Sequence, residues 1–291
     1  MVSFELDSRN FLAFQYAVIN PLQIDEEAWA DLETASLVPD RYREQAHLFP
    51  RLVCLASLDA AARDELLARA RIWDREYDDP YFSALLHSTR GTDYIRGHLI
   101  AQMEQYHLAR REYDVIRLHD PKVFRHLNWL LSADQWESLL GPIDSWAWRE
   151  PDGIWWNRTR DARITDVPAR MRLSPEQWTT LLRFGEINQT LTLLSRIAPD
   201  LADDASLAQR LNALLAEAWN LHRLADRSDR LLYASQAIRF YPRIHQHPEL
   251  QVRLKQSQEN EATYADLCSD LDDTTMQRLV DEMNHPYKER V

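Results

Sequence analysis

At 291 residues, with 45% hydrophobic and 27% charged side chains, the chain has the length and composition of a globular protein of about two domains. Lys and Arg number 34 against 46 Asp and Glu, a formal charge of −12, which argues against nucleic acid as a partner. Five glycines leave little room for phosphate-cradling loops. No apolar run approaches the ~20 residues of a membrane-spanning helix. The opening MVSFELDSRNF lacks the basic-then-apolar order of a secretion signal. The expected setting is therefore the cytoplasm, with Cys54 and Cys268 as two reduced, buried thiols.

In chain order, residues 11–19 (FLAFQYAVI) predict a first strand, bounded by Asn10 and Asn20-Pro21. Residues 25–35 predict a helix and 52–56 a second buried strand. Residues 58–77 predict an amphipathic helix, with Ala62, Leu66, Ala70, Trp73 and Tyr77 on one stripe. A weaker strand at 82–88 precedes a helix at 93–108, with Ile95, Leu99, Ile100 and Met103 inward. Tyr113, Val115, Ile116 and Leu118 read as another buried strand. Asp120-Pro121 ends it and opens a helix, because Asp caps helix N-termini and Pro has its φ preset for the first helical position. Val123, Leu127, Leu130 and Leu131 form the apolar side of that helix. A short helix at 132–140 is ended by Gly141-Pro142. Ile143, Trp146 and Trp148, the turn at Pro151-Asp152-Gly153, then Trp155 and Trp156 predict a hairpin. Strands alternating with helices predict a mixed or largely parallel sheet with helices on its faces, the hairpin forming an antiparallel edge.

Residues 158–172, charged and containing Pro168, read as a linker. Beyond it no strand pattern occurs. Ser174-Pro175-Glu176-Gln177 is a capping box with Pro at the first helical position. Trp178, Leu181, Leu182, Leu191 and Leu194 supply the apolar face that follows. Residues 207–224 predict a helix with Leu211, Leu214, Leu215, Ala218 and Trp219 inward. Further helices are expected at 231–241, from His247-Pro248, and over 264–283. The fold class is α+β and helix-rich: an N-terminal lobe over 1–160 with a mixed sheet, and an all-helical lobe over 161–291.

Chemistry-bearing patterns are sparse. None of the histidines makes an HExxH or Cys-His spacing, and GxSxG, P-loop and GxGxxG patterns are missing. No metal site, cofactor or catalytic residue is expected. Arg117 and Asp120 flank a strand end, where an ion pair or cap locking the turn outweighs a direct contact with a partner. Strand alternation puts Trp146 and Trp148 on one face and turns Trp155 and Trp156 opposite ways. Packing inside the lobe is the simpler reading of these four. The functional one is an aromatic docking surface, since aromatics dominate binding hot spots.

The order Arg117-Leu-His-Asp120-Pro121-Lys122-Val123, then Leu140-Gly141-Pro142-Ile143 and a tryptophan hairpin with Asp152-Gly153, resembles a bacterial family. This is the adaptor and effector-chaperone family of type VI secretion. Its pattern is close to Arg-Phe-Tyr-Asp-Pro-Arg, followed by a helix, a Gly-Pro and a tryptophan strand. Leu118 and His119 stand here for the aromatic pair and Lys122 for the Arg. Asn20 stands where the family often has Asp at the end of the first strand. The resemblance implies a cytoplasmic adaptor without catalysis. It would bind a toxin effector through an apolar, often N-terminal segment and help load it onto the VgrG or PAAR spike tip. Trp146, Trp148, Trp155, Trp156, Arg117 and Lys122 would contact the partner; Asp120, Pro121, Gly141 and Pro142 would hold the motif. The alternative from another class is a hydrolase with carboxylates in a cleft between the lobes. A third is a structural subunit of a larger assembly.

Overall fold

A computed structural model describes residues 1–161, 163–164, 167–201, 204, 206–259 and 262–284. The chain forms two compact units, Met1–Trp178 and the part from Thr179 onward.

The first unit opens with β1 (Val2–Phe4), α1 (Ser8–Phe11) and β2 (Tyr16–Ile19). Then come β3 (Thr34–Ser36), β4 (Arg51–Cys54), α2 (Ala60–Glu76) and β5 (Ala84–His87). The helix α3 (Thr92–Met103) leads into a separate hairpin of β6 (Glu104–His107) and β7 (Glu112–Val115). After it follow α4 (Pro121–Leu130), α5 (Ala133–Leu140), β8 (Ser145–Arg149) and β9 (Trp155–Thr159).

Seven strands make one sheet in the order β1-β9-β8-β5-β2-β4-β3, and every ladder in it is antiparallel. The expected parallel pairing does not occur, for a topological reason. The β4–α2–β5 crossover skips one position, so β4 and β5 run the same way but flank the antiparallel β2. The strands still read as buried because both faces of the sheet are covered: β2 is buried at all four positions. Such continuous apolar runs are more usual in parallel sheets. The tryptophan hairpin is also not the edge. β1, too short and too exposed to stand out in the sequence, pairs with β9 outside it.

One face carries Ala17, Ile19, Val53, Leu85, Ala147 and Trp155 against Leu66, Leu67 and Ala70 of α2. Arg63 of α2 is buried there too; its Nε–H donates to the Leu55 carbonyl (2.8 Å) and its Nη1–H to those of Leu12 and Phe14 (3.2 and 3.3 Å). The other face carries Trp146 and Trp148, both packed on Phe124 of α4.

Several boundaries differ from the expectations. Residues 25–35 hold a single 3-10 turn and the start of β3 rather than a helix. The helix expected to run to 108 stops at Met103. The strand around Tyr113 is the exposed arm of the β6–β7 hairpin, and Ile116 and Leu118 are buried only after it ends. Of the expected linker, residues 162, 165 and 166 lie outside the described residues. Its end is tied down: the buried Gln102 side chain donates to Ala169 O (2.8 Å) and accepts from Met171 N–H (3.0 Å).

α6 (Pro175–Leu182) begins with the expected capping box: Gln177 N–H donates to Ser174 Oγ (3.2 Å) and Ser174 N–H to Gln177 Oε1 (2.9 Å). The second unit is helical: α7 (Phe184–Ile197), α8 (Leu207–Asn220), α9 (Arg227–Arg239), α10 (Pro248–Gln258), α11 (Tyr264–Leu267) and α12 (Asp273–Asn284). Ala218, Tyr233, Leu250, Leu254, Tyr264 and Leu279 lie in its core. No helix among the described residues is long and apolar enough to cross a membrane.

Candidate functional site

The motif around Asp120 organises one turn. Asp120 is buried, and its Oδ1 accepts the Lys122 N–H (2.9 Å) at the start of α4, the cap that Asp-Pro predicts. Arg117 is exposed and lies 3.9 Å from Asp120 Oδ2, a loose pair of little energetic weight. Lys122 is exposed and pairs with Asp79 at 2.9 Å. His119, standing where the resembled family has an aromatic residue, is buried. Burial and the nearby Arg117 push its pKa down to about 3, so it stays neutral.

Gly141 ends α5 with φ +52°. A side chain there would overlap the imidazole of His98, whose Nε2–H donates to Leu139 O at 2.8 Å. The Pro142 carbonyl accepts the Ser88 hydroxyl at 2.7 Å. Gly141 and Pro142 thus fix the path from α5 into β8.

The four hairpin tryptophans do not gather on the surface. Trp146 and Trp148 share a face, as alternation requires, and both are buried. Trp146 stacks on Phe124 with ring centres 4.6 Å apart. The Trp148 indole N–H donates to Glu150 Oε1 at 2.9 Å. Trp155 is buried on the opposite face, in the cluster with α2. Trp156, half-buried, sits across from Trp148 and Ser3 in register. With helices on both sheet faces, the hairpin presents part of one indole instead of an aromatic surface.

Beside the motif, Asp79, Asp120, Lys122, Arg125, Arg149 and Glu150 line a notch of about 60 Å³. That volume holds about four waters. Burial raises the pKa of Glu150 and also that of nearby Asp74. Each faces an arginine: Arg125 at 3.7 Å from Glu150, Arg149 at 3.6 Å from Asp74. These are paired charges that seat α4 and the hairpin, an arrangement that perturbs pKa values without chemistry. No cluster of three or more His, Cys, Asp or Glu suited to a metal occurs among the described residues.

The sequence reading placed several apolar side chains wrongly: Tyr77, expected on the α2 stripe, and Leu182, expected on the apolar face of α6, are exposed. Trp219 is expected inward but is 53% exposed, and Leu221 is 64% exposed. Leu211, Leu215 and Ala218 form the buried stripe of α8. Trp219 lies eight residues past Leu211, about 80° round the helix at 100° per residue, on the margin of that stripe. The Arg230 guanidinium lies 5.2 Å from its ring centre and is also bonded to Glu186 (3.1 Å). Just past Trp219 the helix widens and ends. His222 N–H donates to Glu217 O (3.3 Å), Leu224 N–H to Ala218 O (3.1 Å), and Arg223 takes a left-handed φ of +58°.

Exposed Trp219 and Leu221, about 200° apart round this helix end, mark a ridge, and each lines a separate concavity. One, of about 420 Å³, is lined by Trp219, Asn220, Arg223 and Ala225. The other, of about 570 Å³, is lined by Leu221, His222, Tyr233, Arg243, His245 and Gln251 among others. In the second, Tyr233 O–H donates to Glu217 Oε1 (2.8 Å) and its ring stacks on His245 with centres 3.6 Å apart. Burial and neighbouring His222 push the His245 pKa down to about 3. His245 Nε2–H and Tyr264 O–H both donate to Gln236 Oε1 (3.2 and 2.9 Å), which locks this floor in one arrangement. A rigid polar floor under exposed apolar side chains suits binding of a protein segment.

Compared with protein families, curated proteins and solved structures, the chain matches none.

Proposed function

We propose that the chain is a cytoplasmic, non-enzymatic adaptor that binds a toxin effector of a type VI secretion system and promotes its loading onto a VgrG or PAAR spike tip. The observation that carries the protein-binding part is the Trp219–Leu221 ridge. Two large apolar side chains, about 200° apart round the end of α8, stand exposed there, and each lines its own concavity. Tryptophan is enriched at binding hot spots. The secretion-specific part is supported by the resemblance carried by Arg117, Asp120, Pro121, Gly141 and Pro142. In this account the motif is architectural, setting the α4 turn and the entry to β8, and the helical unit receives cargo.

Against the hydrolase alternative stands the pairing with arginines of Glu150 and Asp74, the two raised carboxyls among the described residues of the first unit. Deleting the chain from its native bacterium is expected to stop secretion of one effector while other effectors of the same apparatus continue to be delivered. Unchanged secretion of every effector would sink the reading.

A further inference from the structure

Arg223 occupies a backbone conformation that glycine adopts freely and other residues adopt at a cost of roughly 1 kcal/mol or more. Strain of this kind at an exposed position directs attention to the side chain that stands there. The Arg223 guanidinium makes no ion pair with a described residue, and it lines the same concavity as Trp219. Across the ridge, exposed Arg243 is equally without an ion pair among the described residues and lines the concavity beside Leu221. Each concavity thus sets one exposed apolar side chain next to one uncommitted guanidinium. Glu217, which also lines the second concavity, accepts from Tyr233 and lies 3.9 Å from His222, and Asp226 caps α9 by accepting the Ser228 N–H (2.7 Å).

Resting on the adaptor reading, we propose that the ridge between α8 and α9 takes an acidic segment of the partner protein that also carries apolar side chains. Its carboxylates pair with Arg223 and Arg243, whose planar guanidinium groups match a carboxylate in two-point geometry. Its apolar side chains cover Trp219 and Leu221. Charge selects this occupant. The selection is local: a basic segment would meet two cations at the anchor points, and an uncharged one would leave both guanidinium groups without a carboxylate.

The test is fluorescence anisotropy on the full chain. The probe is a short fluorescein-labelled peptide alternating Glu with Leu and Phe. The controls are the same peptide with Lys for Glu and a single-stranded oligodeoxynucleotide. The acidic peptide is expected to bind, more weakly as salt rises. Arg223→Gly and Arg243→Gln are each expected to weaken it about tenfold. Because Arg223→Gly relieves the left-handed strain, its unfolding midpoint should equal or exceed that of the wild type, which separates lost binding from lost fold. Equal binding of the lysine peptide, tighter binding of the oligonucleotide, no binding of the acidic peptide, or unchanged affinity in the double variant would each overturn the proposal. Capture of an effector that survives in the double variant would overturn the site and leave the adaptor reading standing. An intact chain that captures no effector, yet binds the peptide as described, would overturn the adaptor reading alone.

Discussion

Gly141 and His98 are in steric contact across the end of α5: a Cβ on Gly141 would lie 3.0 Å from His98 Nε2 and overlap the neighbouring ring carbon. The glycine also holds φ +52°. Gly141→Ala is therefore expected to destabilise the chain by about 2–4 kcal/mol, from overpacking together with left-handed strain. Urea unfolding reads this directly. Adding His98→Ala to Gly141→Ala should recover part of the loss, since it removes the clash and leaves the strain.

The tryptophans separate into core and surface by the same measurement. Trp155→Ala opens a cavity in the cluster with α2 and is expected to cost about 3–5 kcal/mol. Trp219→Ala removes a ring that is 53% exposed and is expected to cost under about 1 kcal/mol. A Trp219→Ala loss as large as that of Trp155→Ala would show that its role is packing.

What was legible follows from where local chemistry decides. The Ser174–Gln177 box and the Asp120-Pro121 start are set by bonds between near neighbours, and both form as the residues predict. Trp219 was not legible because a residue on the margin of an apolar stripe turns in or out according to tertiary packing. The sheet direction was not legible because the strand inserted between β4 and β5 comes from residues 16–19, far back in the chain. β1 was missed since three mostly exposed residues carry no pattern. The hairpin tryptophans were read correctly as sharing or opposing faces. Strand alternation says which side a residue takes, and says nothing of whether a helix covers that side.

Arg63 is expected to be among the least replaceable polar residues of the first unit. Arg63→Met keeps most of the apolar stem but strips donors from the carbonyls of Leu55, Leu12 and Phe14. The expected loss is about 3 kcal/mol by chemical denaturation, because buried acceptors are left without partners.

Buried His119 and His245 give stability a definite pH dependence. Both are held neutral, with pKa values pushed down to about 3 from 6.5. A depressed histidine contributes stability that is fully present above the unfolded value and is lost as pH falls through the interval from 6.5 toward 3, because only the unfolded chain takes up the proton. Between pH 7 and pH 5 each should cost about 2 kcal/mol. The raised Glu150 and Asp74 carboxyls act in the opposite sense, adding stability as pH falls. Comparing wild type with His119→Phe and His245→Phe by urea unfolding at both pH values isolates the histidines. The wild type should lose more than either variant.

The central claim is that the helical unit binds a secreted toxin through the Trp219–Leu221 ridge. Its most direct test is a tagged pull-down from lysate of the native bacterium, quantified by mass spectrometry, with wild type and a Trp219→Ala/Leu221→Ala double variant side by side. The account predicts a toxin-like effector or a VgrG or PAAR protein at near-equal molar amount with the wild type, and a loss of tenfold or more with the double variant at an unchanged unfolding midpoint. Wild-type protein that elutes with nothing above the tag-only control, or capture that the double substitution leaves untouched, would contradict it.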